Sequence, residues 1–225
     1  GASNVALGHS ALLNNTTASN NTAVGYQAGY SHTTNGFLTA IGYKAGYTGN
    51  TDNAFVGYEA GYNSTGGSNT AMGSYRALYS NTSGSSNTAI GREALYSNTT
   101  ASNNTAVGYQ AGYANTTGTF NTFVGNVAGN SNTTAQRNTF IGHYAGEGNT
   151  TGGYGTFVGQ NSGYLMTTGS KNTILGSFSG NQGGLDIRTS SNNIVLSDGD
   201  GNPRVIVDSS GNLLVGRTSS SGFTT

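Results

Sequence analysis

The chain has 225 residues, of which 33% are apolar and 7% charged, and its eight Lys and Arg residues balance eight Asp and Glu residues. This composition disfavours a conventional globular core, and a neutral chain lacks the basic surface that binds nucleic acid. The absence of cysteine excludes a disulfide scaffold, and no apolar run is long enough for insertion into a membrane. The 14 Tyr and 8 Phe residues favour an ordered structure over a disordered one.

A short repeat organises most of the chain. Residues 21–30 read Asn-Thr-Ala-Val-Gly-Tyr-Gln-Ala-Gly-Tyr, and eleven variants occur, separated by loops of Asn, Thr, Ser and Gly. Residues 15–30 recur letter for letter as residues 98–113, as in a duplicated module. Counting Asn21 as position one, the glycine at position five recurs every 15 to 18 residues. This period predicts a solenoid of about 11 short coils, one per repeat, and because β-branched residues, Asn and Gly disfavour helix, we expect an all-β chain, a β-solenoid.

Each repeat predicts a strand, a tight turn and a second short strand. Position two is nearly always Thr and position four is aliphatic or Met, so strand alternation places both on one face, which we predict to point inward. The glycine at position five suits a sharp turn or a close approach between coils. Position eight is small, with Arg76 as the exception. The position-four residues are Leu7, Val24, Ile41, Val56, Met72, Ile90, Val107, Val124, Ile141, Val158 and Leu175.

Asparagine recurs at position one. Coils stacked at the strand spacing of roughly 4.7–4.9 Å would align these side chains in a hydrogen-bonded ladder and extend the rod to about 50 Å. The alternative is that Asn is used because it tolerates turn dihedrals. The residues are Asn4, Asn21, Asn53, Asn69, Asn87, Asn104, Asn121, Asn138 and Asn172.

Position three should point away from the coil, yet it is Ala in some copies and Phe in others. Tyr tends to stand at position six where position three is Ala, which predicts that the two side chains share one space. The candidates are Phe55, Phe123, Phe140 and Phe157 at position three and Tyr26, Tyr43 and Tyr109 at position six. An outward aromatic stripe on a thin coil predicts a seam between identical chains.

The pattern Asn-Thr-Ala-Val-Gly-x-x-Ala resembles the head repeat of trimeric autotransporter adhesins, and similar modules occur in many bacteriophage tail-fibre proteins. The resemblance covers about residues 4–181 and implies a left-handed parallel β-roll, a homotrimer around a threefold axis, and attachment to a cell-surface receptor, either glycan or protein. The seven aromatic residues above then become trimer-seam candidates. The period here is longer than in the short adhesin coils, with the excess in the polar loops.

The repeat pattern stops after residue 181, which divides the chain into a repeat domain, 1–181, and a connector, 182–225. Three apolar segments separated by Asp-, Gly- and Asn-rich turns predict a small β-meander in the connector. The segment resembles the connection that leads toward distal domains in phage tail fibres. Because the chain opens at Gly1 without an initiator methionine, we expect it to be an excised piece or a processed product.

The sequence contains few residues that could form a catalytic or metal-binding site. His9, His32 and His143 are far apart and lack the partners of a zinc site or a catalytic triad, so we expect no enzyme and no cofactor. Asp198, Asp200 and Asn202 imitate the start of a calcium loop but lack its terminal Glu, which makes a turn the better interpretation.

Three functions stay open. The first is a structural and host-attachment segment of a phage tail fibre, located in the virion. The second is the head of a trimeric adhesin on a bacterial cell surface. The third is an ice-binding solenoid, suggested by the Thr column but disfavoured because Thr shares its face with the aliphatic column.

Overall fold

The computed structural model describes residues 1–49 and 51–216, and within these ranges it contains strands and turns but no helix. The predicted all-β parallel solenoid of about eleven coils, followed by a small antiparallel sheet, is confirmed. The strands are β1 (Val5–Leu7), β2 (Thr22–Val24), β3 (Thr39–Ile41), β4 (Ala54–Tyr58), β5 (Thr70–Tyr75), β6 (Thr88–Ile90), β7 (Thr105–Val107), β8 (Thr122–Val124), β9 (Thr139–Ile141), β10 (Thr156–Val158), β11 (Thr173–Leu175), β12 (Asn181–Gln182), β13 (Leu185–Asp186), β14 (Ile194–Ser197), β15 (Pro203–Val207) and β16 (Leu213–Val215).

One long sheet runs the length of the molecule. Strands β1 to β11 each pair in parallel with the next strand. Equivalent repeat positions are register partners in adjacent strands, as in the pair Thr105 and Thr122. The sheet continues into β14, which pairs in parallel with β11 and antiparallel with β15, and β16 follows as the last strand. The predicted meander therefore forms, but its first strand is also a twelfth rung of the solenoid. Strands β12 and β13 form a separate small hairpin.

Position three faces the interior of the coil, so the prediction that position four points inward is wrong. Strand alternation requires positions two and four to share a face, but it does not say which face is inside. The space between the strand and the following turn is narrow and accepts Ala or a flat ring. The inward column consists of Ala23, Ala40, Phe55, Ala71, Ala89, Ala106, Phe123, Phe140, Phe157 and Ile174, each at most 1% exposed.

The volume at position three is matched by position nine, not by position six as predicted. Coils with Phe at position three carry Gly at position nine, and a Cβ on Gly146 would lie 2.4 Å from the Phe140 ring. Three coils with Ala at position three instead carry Leu at position nine, among them Leu78 and Leu95, which are fully buried. In these seven coils one large side chain fills the interior from one wall or the other. Coils two, three and seven have Ala at position three and Gly at position nine, and side chains of neighbouring coils, such as Leu38 and Phe123, reach into their interior.

The predicted second strand does not form, and turns occupy that part of the coil. The turns stack through backbone hydrogen bonds between coils, as where the Gly29 N–H donates to the Ala45 carbonyl at 3.0 Å. The predicted close approach at position five is confirmed, since a Cβ on Gly25 would lie 2.4 Å from the Gly42 oxygen. In the fifth repeat the sheet register shifts by a bulge. Ala77, not Arg76, is consequently the buried residue of position eight.

The predicted asparagine ladder at position one is confirmed. The Asn121 N–H donates to Asn104 Oδ1 at 2.8 Å, and Asn104 Nδ2 donates to the Gly118 carbonyl at 2.8 Å. A second buried ladder, which was not predicted, lies beside the first, where Asn115 Nδ2 donates to the same Gly118 carbonyl at 3.0 Å and to Asn98 Oδ1 at 3.1 Å. Its members are Asn81, Asn98, Asn115, Asn132 and Asn149. The ladders supply polar partners within an interior that would otherwise contain unpaired backbone groups.

Candidate interaction surfaces

The aliphatic column at position four forms an exposed stripe along the outer face of the sheet. We call this surface, positions two and four of all coils, the aliphatic face. Leu7 at one end is 67% exposed and Leu175 in the eleventh coil is 41% exposed, with half-buried Thr residues beside them. Ile194 and Leu196 of β14 continue the stripe. An exposed apolar surface that extends over twelve rungs is typical of an interaction site.

The four phenylalanines predicted for a seam between chains lie inside the chain itself. Phe55, Phe123, Phe140 and Phe157 are between 0% and 1% exposed in the single chain, so no partner can reach their side chains. Their assignment as seam residues is therefore wrong, and the physical reason is the inward orientation of position three. Phe140 and Phe157 stack on each other within the core, with ring centroids 4.6 Å apart.

The tyrosines predicted for the seam are exposed and belong to a stacked column. Tyr26, Tyr43 and Tyr109 are between 39% and 43% exposed, and Tyr26 and Tyr43 stack with centroids 5.3 Å apart. Column six consists of Tyr26, Tyr43, Tyr58, Tyr75 and Tyr109. Contact of these residues with another chain stays a prediction.

A second tyrosine column, which sequence reasoning missed, runs parallel to the first at position ten. Adjacent rings stack with nearly parallel planes, with centroids 4.9 to 5.4 Å apart. Column ten consists of Tyr30, Tyr47, Tyr62, Tyr79, Tyr96 and Tyr113. The repeated Gly-Tyr or Leu-Tyr at positions nine and ten was the signal that could have predicted it. We call the two columns together the tyrosine face.

Charged side chains at positions six and seven join the two tyrosine columns. The Arg76 guanidinium lies 4.8 Å from the Tyr75 ring centre and 4.9 Å from that of Tyr79, so it contacts both columns. Its Nε donates to Glu59 Oε2 at 2.7 Å, and this hydrogen bond raises the pKa of Arg76. Such cation–π contacts and paired charges fix the orientation of the rings.

The candidate calcium residues are used in a turn. Asp198 Oδ1 accepts the backbone N–H of Asp200 at 3.1 Å and that of Asn202 at 2.8 Å, while Asp198 Oδ2 pairs with the Arg204 guanidinium. The hydrogen bonds from Asn202, followed by that from Arg204, lower the pKa of Asp198. Over residues 1–49 and 51–216, no three His, Cys, Asp or Glu side chains come together as a metal site.

Of the three histidines, all within the described residues, His32 alone is buried. It occupies the second ladder's position in its coil and is 1% exposed, and its Nε2 has no hydrogen-bond partner. Burial lowers the pKa of His32, and a backbone hydrogen bond with Asn35 opposes this effect more weakly. His9 stacks on Tyr26 at the first rung of column six, so the structure does not bring the three histidines to one site.

Comparison of the chain with protein-family models, with curated proteins and with solved structures gave no match. The described residues also include no helix that could cross a membrane. The surfaces above are therefore the basis on which a function can be proposed.

Proposed function

We propose that this chain is a structural and host-attachment segment of a phage tail fibre, without enzymatic activity, that works as a homotrimer in the virion. The in-register stack of coils supports a rod-like structural role, since each coil contacts its neighbours along one axis. The resemblance of the repeat to tail-fibre and adhesin modules supports attachment to a cell-surface receptor.

The aliphatic face carries the proposal of a trimer. In a single chain its Ile, Leu and Met side chains are exposed in six of the eleven coils, from Leu7 to Leu175, and the Val side chains between them are half-buried. Burying such a stripe against two identical copies would remove apolar surface from water, which would stabilise the assembly by about 25 cal/mol for each Å² buried. In a closed symmetric assembly every chain contributes the same face to the interface. Such an assembly therefore explains why the aliphatic column recurs on every coil. We therefore place the contact between chains at positions two and four instead of position three.

A cysteine cross-link tests this seam, because the chain contains no native cysteine. In the Val107→Cys variant, equivalent side chains of neighbouring chains would meet near the axis, so a short bis-maleimide should give covalent dimers at low protein concentration. The matched control is Thr100→Cys at an exposed loop position, which should give no covalent dimer under the same conditions. Equal cross-linking of the two variants would contradict the proposed seam.

The same fibre segment could serve as the head of a bacterial adhesin on the cell surface, since the repeat resembles both. The flanking sequence of the gene distinguishes the two roles. A distal domain or a chaperone after the connector supports the tail fibre, whereas a coiled-coil stalk and a membrane anchor support the adhesin.

One structural observation favours the ice-binding alternative, which the sequence pattern disfavoured. The Thr column faces outward on a parallel sheet, with the aliphatic column beside it. The Thr side chains are only half-exposed, however, whereas the Ile, Leu and Met side chains of the aliphatic column are exposed. Thermal hysteresis in a solution of the purified chain would replace the fibre proposal with ice binding.

A further inference from the structure

The tyrosine face is a surface that the fold does not require. Coil eight has Asn126 in column six and Asn130 in column ten, and its strand pairs in the same register as the strands of the tyrosine-bearing coils. Its turn makes the same stacking hydrogen bond, from the Gly129 N–H to the Ala145 carbonyl. Eleven of the chain's 14 tyrosines nevertheless lie in the two columns, all between residues 26 and 113. This concentration points to a role in binding.

The rings leave part of their faces open. Centroids 4.9 to 5.4 Å apart exceed the contact distance of about 3.5–4.0 Å between carbon atoms, so nearly parallel rings must be offset, and each covers only part of the next. Tyr43 and Tyr58 accordingly remain 39% and 38% exposed. A ligand that lies along the axis would meet a new ring at each coil.

The face has little net charge and is rich in hydroxyl groups. Three cationic residues, Lys44, Arg76 and Arg92, stand beside two carboxylates, Glu59 and Glu93, which leaves a net charge of only +1, and Arg76 binds Glu59 directly. Burial raises the pKa of the column-ten phenols of Tyr79 and Tyr113, so these hydroxyls stay protonated and can donate hydrogen bonds at neutral pH. The face therefore offers no strong field for a polyanion, but it presents regular phenol donors beside apolar ring surface.

We propose that the tyrosine face binds a neutral glycan with an extended backbone, which lies along the solenoid axis over coils two to seven. This inference rests on the proposed attachment function and names the class of receptor. Successive coils repeat at about 4.8 Å, which is close to the advance of one pyranose ring in an extended chain. Successive sugars can then place a C–H face against an open ring and a hydroxyl group against a phenol or amide.

The intrinsic fluorescence of the chain supplies a direct test, because it has tyrosine but no tryptophan. The probes are a β-(1→4)-linked glucose hexasaccharide, which is extended, its α-(1→4)-linked isomer, which is curved, and a sulfated hexasaccharide. The variant replaces Tyr43, Tyr47, Tyr58 and Tyr62 with Asn, the residue that coil eight has in both columns. The matched control is Tyr154→Asn, which removes an exposed tyrosine outside the columns.

We expect the extended neutral probe to bind with a Kd of about 1 mM or tighter, at least tenfold more weakly to the fourfold variant, and equally to the Tyr154→Asn control. Binding of the curved isomer should be at least tenfold weaker than that of the extended one. No binding of the extended probe, unchanged binding to the fourfold variant, or preference for the sulfated probe would overturn the proposal.

Sedimentation of the same samples separates this inference from the trimer proposal. A fourfold variant that stays folded but loses its oligomeric state would place the tyrosines in the seam between chains and overturn their role in glycan binding. A chain that is monomeric and still binds the extended probe through these tyrosines would contradict the trimer and support the glycan site.

Discussion

At the scale of single residues, an exchange between positions three and nine fills the interior of seven coils. Phe140 fills its coil because Gly146 leaves the opposite wall open, whereas Leu95 fills its coil opposite Ala89. Native Leu95 adopts φ of +50°, close to the φ of +59° at Gly146, so a leucine is compatible with this backbone.

This exchange predicts strong coupling between two substitutions. Phe140→Ala alone should destabilise the chain by about 3–5 kcal/mol, the usual cost of a large core cavity. Gly146→Leu alone should also destabilise it, because the new side chain meets the Phe140 ring. In the double variant the leucine enters the vacated space, so the loss should be smaller than the sum by about 2 kcal/mol.

Urea unfolding of the four chains of this cycle, at equal protein concentration, measures the coupling. The control adds His143→Tyr to Phe140→Ala. His143 is exposed at position six, so this substitution should restore nothing. Additive free energies for the Phe140 and Gly146 variants would show that the two positions do not share one space.

His32 predicts a dependence of stability on pH. Burial holds its pKa below 6.5 in the folded chain, whereas the unfolded chain has the ordinary value. Above about pH 6.5 both states are neutral, and as the pH falls below that value the unfolded state binds the proton first. The free energy of unfolding should therefore decrease on acidification, until the folded-state pKa is reached.

His32→Asn should remove this part of the pH dependence, because Asn is the residue of the second ladder in most other coils. Melting temperatures measured between pH 7.5 and 5 would show it, with His143→Asn as a control that keeps the dependence. An identical pH profile in the His32→Asn variant and the unmodified chain would exclude this histidine as the cause.

Much of the residue pattern could be predicted, but its orientation could not. The repeat fixed which positions share a face, and Thr, Gly and Asn were placed correctly in the strand, the turn and the ladder. The choice of inner face was wrong because the aliphatic side chains are larger than Ala and were therefore assigned to the core. The pattern within one coil does not show whether the aliphatic side chains at position four are covered by the same chain or by a partner chain.

At the scale of elements, the two asparagine ladders hold the coils in register. Asn98 Nδ2 donates to Asn81 Oδ1 at 2.9 Å and to the Ala101 carbonyl at 3.0 Å, and its own Oδ1 accepts from Asn115. Loss of this side chain would leave buried polar groups unpaired on both neighbouring coils.

Asn98→Ala should therefore reduce the free energy of unfolding by about 3 kcal/mol, since each unsatisfied buried group costs about 1–3 kcal/mol. Asn98→Ser should cost less, because Ser64 accepts a hydrogen bond from Asn81 at 2.8 Å in this same column. Thr100→Ala, on the exposed loop nearby, should change stability by no more than about 0.5 kcal/mol. Equal losses in the two Asn98 variants would argue that volume matters more than hydrogen bonding.

The second ladder was not predicted because its signal resembles ordinary loop composition. Asn residues at that position stand among Thr, Ser and Gly, which are also common in loops with no buried role. Only the stacking of coils shows that these loops close over the interior. The meander was predictable, since its turns contain Asp and Gly, but its sharing of β14 with the solenoid depends on long-range pairing.

At the scale of the whole molecule, the chain has two outward surfaces with separate proposed roles. The aliphatic face extends over all coils and suits self-association, whereas the tyrosine face is confined to residues 26–113 and suits a ligand. Most of the fold follows from the repeat, but the partner of each surface depends on contacts outside the chain.

A charge on the aliphatic face should separate the chains without unfolding the coils. Val107 lies on this face, so Val107→Asp should place a carboxylate in the seam between chains. Because burying an unpaired charge is costly, the protein concentration needed for half-maximal assembly should rise at least tenfold. Circular dichroism of the monomeric variant should still show the β-structure of the unmodified chain. Thr100→Asp, on an exposed loop, should leave the assembly intact, and unfolding of the Val107→Asp coil would instead support an inward position four.

Sedimentation equilibrium of the unmodified chain tests the central claim most directly. If the aliphatic face joins three copies, the measured mass should be three times the 22.8 kDa of one chain and should hold over a wide range of concentration. A folded species of 22.8 kDa at every concentration would contradict the account and leave the aliphatic face exposed to solvent in the working molecule.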